Sequence, residues 1–140
     1  PISSTMTDAR RRGGDHPSRA SDDEALLEGL RTACLALPDV EERINHGMPT
    51  FAVMKRTAFC NLHEHPDDGR PTLWFKAAAG VQAELVDQEP DRFFVPPYVG
   101  PRGWVGMRLD VDLDWDEVAA VVEDAWRLVA TKGQVAQLDA

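Results

Sequence analysis

Two segments of the chain pair an indole with a cation. Trp74 stands two residues before Lys76, and Trp104 four residues before Arg108. In a strand, residues i, i+2 and i+4 share one face. If Leu73 and Phe75 face a core, then Thr72, Trp74 and Lys76 face away from it. If Val105, Met107 and Leu109 face the core, Trp104, Gly106 and Arg108 face away. Ala58, Cys60 and Leu62 inward place Asn61 and His63 on that same outer side. An open sheet bearing indoles and cations stacks nucleobases and holds phosphates. The competing reading is a second small core, in which a proline-rich loop folds over the tryptophans.

Other clusters carry weaker chemistry. His46-Gly47-Met48-Pro49 reads as a strand end and a tight turn, with His46 able to anchor an anion or a carbonyl, or to make a structural hydrogen bond. His63 and His65 share a strand face, but zinc wants three or four convergent ligands and no further spacing supplies them. Asp110-Val111-Asp112-Leu113-Asp114 opens like a calcium loop; Trp115 then replaces the glycine and Val121 the glutamate that such a loop needs. Cys60 and His63 fall on opposite faces of a strand, so Cys60 is a core thiol and not a nucleophile. No catalytic residues, metal site or cofactor is assigned, and the chain is read as a non-enzymatic binding protein.

The elements that position these residues follow from patterning. Ser21-Asp22-Asp23-Glu24 is a capping box, and Leu26, Leu30, Ala33, Cys34 and Leu37 then recur at helical spacing until Pro38. Strands are predicted near Glu42–His46, Phe51–Lys55, Thr57–His63, Thr72–Lys76 and Gly103–Leu109. Lys55-Arg56 is a hairpin tip and His65–Pro71 a longer loop. A short helix covers Ala77–Gln88. Asp114 and Glu117 open the cleanest amphipathic helix, with Val118, Val121, Val122, Ala125, Trp126 and Val129 on one face and Lys132-Gly133 as its end. This order predicts an α+β domain: two layers, an antiparallel sheet of about five strands, and helices on one face. Residues 1–20 are expected to be a mobile tail, 21–133 a single domain, and 134–140 a C-terminal tail.

Phe93–Gly106, FFVPPYVGPRGWVG, holds three prolines, three glycines and four aromatics in fourteen residues. Prolines forbid a helix there and glycines admit close approaches. The loop offers Tyr98 and Arg102 beside Trp104.

A chain of 140 residues, 43% hydrophobic and 28% charged, suits one core. It has no apolar run long enough for a membrane span, and with no apolar stretch after Arg10, Arg11 and Arg12 a secretory signal is not expected. Cys34 and Cys60 lie in apolar patterns, as reduced core residues of a cytoplasmic protein do. The net charge of −9 argues against a generic nucleic-acid binder. Its distribution matters more: residues 1–21 carry +2, 22–42 carry −6, 43–108 carry +1 and 109–140 carry −6. Only the middle of the chain offers a local field that attracts an anion.

Leu37–Glu42, His46–Phe51, Leu73–Lys76, Phe93–Gly106 and Asp114–Val118, taken together and in this order, resemble the MmcQ/YjbR-like family over roughly residues 25–132. The resemblance implies a compact two-layer α/β fold related to small secretion chaperones, and a DNA-binding role. It carries no catalytic residues. The binding residues are therefore sought among His46, Lys55, Arg56, Trp74, Lys76, Tyr98, Arg102, Trp104 and Arg108, with DNA as partner. Two alternatives stand beside this: a protein-interaction module, as a chaperone-like partner or homodimer, and a small-molecule site between His46 and the Phe93–Gly106 loop.

Overall fold

The computed structural model describes residues 17–140, with side chains from Asp23 onward. Of the expected tail, residues 1–16 lie outside the described residues. Helix α1 spans Pro17–Leu35, so the chain is helical four residues before Ser21, the expected N-cap. Proline is compatible with a first helical position, which explains how the helix can start ahead of the capping box. Six strands follow the helix in an antiparallel sheet: β1 Val40–Asn45, β2 Met48–Val53, β3 Ala58–Glu64, β4 Pro71–Phe75, β5 Phe93–Phe94 and β6 Val105–Arg108. Their spatial order is β1-β2-β3-β4-β6-β5, with β1 and β5 at the edges. Helix α2, Val81–Gln88, separates β4 from β5; α3, Trp115–Val129, and α4, Lys132–Asp139, close the chain.

The architecture is the expected α+β one, with one strand more than the pattern showed. That strand is β5: Phe93 and Phe94 pair with Met107 and Gly106 before Pro96 ends the run. The predicted end at Lys132-Gly133 is instead the start of α4. Thr131 and Gln134 form a reciprocal capping box there, so residues 134–139, read as tail, are helix.

One core lies between the sheet and the helices. Leu30, Cys34 and Leu37 meet Val118, Val122, Ala125, Trp126 and Val129 over Phe51, Cys60, Leu73, Phe75, Val105 and Met107. Trp126 is fully buried, and its indole N–H donates to Pro38 O at 3.0 Å, tying α3 to the link between α1 and β1. Buried tryptophans keep such a partner because an unpaired N–H in apolar surroundings is costly. A bulge between β2 and β3 alters one expected parity. Ala58 lies opposite Ala52, and the extra residue, Phe59, joins Cys60 in the core.

Candidate functional site

The outer face of the sheet can be read row by row from its register. One row crosses all six strands: Arg43, Thr50, Asn61, Trp74, Gly106 and Phe94 are successive cross-strand partners. The next row holds His63, Thr72 and Arg108. The parity expected for Trp74, His63 and Arg108 is therefore the one observed. The openness is not. Trp74 is 4% exposed and Trp104 7%. His63 stacks flat on Trp74, ring centroids 3.7 Å apart and planes within 2°. Phe94 lies across Gly106 so closely that a Cβ there would sit 2.3 Å from its ring. His65 meets Phe94 edge-on at 4.5 Å, and the Arg108 guanidinium sits 5.9 Å from the same ring.

The reading of two indoles free to stack bases is thus corrected: the outer face is a second aromatic layer. The cause is tertiary. The β3–β4 loop brings His65 and Asp68 over β6 and β5, and Asp68 takes Arg108 in an ion pair at 3.2 Å. The Asp68 carboxyl is held below its ordinary range, first by the Arg70 backbone N–H, then by the charges of Arg108, His65 and Arg70. Two polar atoms of this layer, Asn61 Oδ1 and Trp74 Nε1, are buried without a partner.

Cations sort into two sets. Arg31, Arg43, Arg70, Arg92, Arg108 and Arg127 all sit in ion pairs. Arg56 donates from Nε to Val129 O at 2.6 Å, so it caps the carboxyl end of α3 and does not reach outward for a ligand. Among the described residues Lys55, Lys76, Arg102 and Lys132 form no ion pair. Topology gathers these four at one end of the sheet. Lys55 occupies the β2–β3 turn at φ 63°, closed by Arg56 N–H donating to Val53 O. Lys76 follows β4, its N–H donating to Phe59 O. Arg102 ends a single 3₁₀ turn, Gly100–Arg102, just before β6. Lys132 opens α4, which the Arg56 cap on α3 holds beside the same turn.

Helix α2 also starts at this end. Its Gln82 side chain donates to Gly100 O and Trp104 O, fastening the proline-rich loop. In that loop Tyr98 is 91% exposed at φ 67°, an unusual backbone for a bulky residue. His46 and Arg108 are at the opposite end. His46 and Gly47, at φ 52° and 79°, form the two-residue turn of the β1–β2 hairpin, where both central residues must take positive φ. Lys132 was the member that sequence reasoning missed. The signal was Thr131 three residues before Gln134, a second capping box.

The hollows lined by described residues include the following three. One of about 480 Å³ lies beside α1, walled by Leu26, Leu109, Leu113 and Trp115 with the Arg70–Asp110 pair. A smaller one of about 150 Å³ adjoins it between Leu26, Met48, Leu62 and His63. A third, about 360 Å³, opens between His65, Phe94, Val95 and Pro97. His46 lines none of the three, so the turn and the loop do not share a pocket among them.

The arrangement matches a known family. The model described as YjbR covers residues 35–128, from the end of α1 to the last turn of α3. The chain belongs to the YjbR family. Among solved structures, the Deinococcus radiodurans protein DR2400, whose domain is described as DUF419, is similar at a TM-score of 0.63. The alignment covers 76% of this chain and 80% of that one at 20% identity, a likeness of fold. No curated protein matches the chain. Among the described residues of this YjbR domain, no helix is long and apolar enough to cross a membrane.

Proposed function

We propose that this YjbR domain is a non-enzymatic, cytoplasmic DNA-binding module that grips the phosphate backbone with one end of its sheet. The supporting observation is the gathering of Lys55, Lys76, Arg102 and Lys132, none of them ion-paired among the described residues, at that end. Tyr98, presented on a proline-stiffened loop, offers a face on which an unpaired base can stack. The preferred substrate is therefore a single strand over a duplex.

The −9 net charge has to be weighed against this. Asp110, Asp112, Asp114, Asp116 and Glu117 lie in the β6–α3 connection and the first turn of α3, at the far end of the strands from the cations. The five residues of β4 alone separate the two ends by about 17 Å at ~3.3 Å per residue. Screening acts over about 8–10 Å at physiological salt. Nearer carboxylates, Asp39 beside Gln134 and Glu84 in the first turn of α2, offset part of the charge of the four cations at their own end.

The test is fluorescence anisotropy of a labelled single strand and a labelled duplex across a salt series. Four phosphate contacts give a slope of about −3 in log affinity against log salt for a single strand. Replacing Lys55, Lys76 and Arg102 by alanine reduces that slope by about 2. Tyr98→Ala weakens the single strand more than the duplex. Absence of binding even at low salt, or a slope unchanged in the triple variant, overturns the reading.

A further inference from the structure

Strand β1 is an edge with a self-complementary pattern. The two-residue turn makes Asn45 and Met48 a hydrogen-bonded pair, and alternation extends that state to Arg43 with Thr50 and Glu41 with Ala52. Met54 N–H donating to Asp39 O at 2.8 Å continues the same series. The intervening residues, Val40, Glu42 and Ile44, therefore aim their N–H and C=O groups away from β2, along the open edge. On the helix side of that edge Ile44 is 69% exposed. On the outer side Glu41 and Arg43 form an ion pair.

We propose that β1 pairs antiparallel with β1 of a second copy of this chain, about a two-fold axis through Glu42, to make one continuous twelve-stranded sheet. Only an even-numbered residue can oppose an even-numbered one if the outward groups are to bond. Centred on Glu42, the register sets Val40 against Ile44 of the second copy, so that the exposed Ile44 is covered by an apolar neighbour. It sets Glu41 against Arg43 twice, and each central Glu42 is already held by Arg31 through bonds of 2.7 and 3.0 Å. Sliding by two places sets Arg43 against Arg43 or Glu41 against Glu41, which like charges oppose. The occupant is a second copy because this pattern matches its own reverse. The paired length is five residues of each strand, Val40 to Ile44, so a modest, concentration-dependent dimer is expected, with an interface at the small end of specific ones.

This surface is separate from the cationic end and stands or falls without it. The experiment is sedimentation equilibrium of the chain over a wide concentration range, with three variants. The wild type moves reversibly towards twice the monomer mass. Ile44→Pro deletes an outward N–H that the single chain does not use, so it stays monomeric with an unchanged circular dichroism spectrum and melting temperature. Arg43→Glu weakens association at least tenfold, and adding Glu41→Arg restores it by exchanging both partners. A wild type that is monomeric throughout overturns the proposal. So does a dimer that Ile44→Pro leaves intact, or a charge reversal that the second exchange fails to rescue.

Discussion

Gly106 gives the sharpest test of the outer aromatic layer. Its backbone lies outside the positive-φ region, so alanine meets no backbone strain there. The obstacle is Phe94: a Cβ on Gly106 would stand 2.3, 2.4 and 2.7 Å from three ring carbons. Ordinary contact begins about 1 Å farther out, so the ring has to move by roughly that much. It is flanked by His65 at 4.5 Å and by the Arg108 guanidinium at 5.9 Å, which resist the shift. Overpacking of this kind costs about 1–3 kcal/mol. Against it, alanine restricts the unfolded chain and returns about 0.4–1 kcal/mol. The expected net loss for Gly106→Ala is about 1–2 kcal/mol, or roughly 3–6 °C in melting temperature for a domain of this size. The decisive comparison is the same substitution in a Phe94→Ala background. With the ring gone, Gly106→Ala becomes neutral or stabilising, a coupling of about 1–2 kcal/mol in a double-mutant cycle read by urea unfolding. An equal cost in both backgrounds would refute the packing argument.

Other perturbations bear on separate parts of the molecule. Arg56→Ala removes the cap on Val129 O and lowers stability by about 1 kcal/mol, below the range of about 1.5–3 kcal/mol for a charged hydrogen bond because the residue is exposed; its DNA affinity, read by anisotropy, stays at the wild-type value. Asp68, held below its ordinary 3.8, contributes stability that is present above that value and is lost as pH falls through its lower folded one. Asp68→Asn therefore flattens the acid limb of a stability-against-pH profile measured below about pH 4. Cys34 and Cys60 are 0% exposed with their Sγ atoms 3.6 Å apart, and burial pushes the Cys60 thiol up. Iodoacetamide labelling followed by mass spectrometry should be negligible in the native state and rise with the urea transition; immediate native labelling would contradict this.

What the sequence showed was local, and what it hid was long-range. Helix α3 was legible because its cap and its apolar stripe lie within its own residues: Asp114 accepts from the Asp116 N–H, and Val118, Val122, Ala125, Trp126 and Val129 are buried as spaced. Alternation likewise told which way Trp74 faces. It could not tell what covers that face, because the β3–β4 loop and Phe94 reach it from elsewhere in the chain. Arg56 looked like a ligand-binding residue at a hairpin tip, and its true partner is 73 residues away. Strand β5 is too short for a period of two to register, and exists because Met107 and Gly106 offer it an edge. The grouping of Lys55, Lys76, Arg102 and Lys132 needed the full topology, since no two are neighbours in sequence.

Among the described residues, the acids of the β6–α3 connection and the four cations outside ion pairs stand at opposite ends of the strands. A −9 protein with a sequence pI near 4.8 should be repelled by a sulfonate resin at neutral pH. The cationic end gives such a surface something to hold, so retention at low salt would report local and not net charge. On an anion exchanger the acidic end would be the one to bind, turning the domain end for end. Immobilised on beads of either sign, the same domain would present opposite ends to the solution.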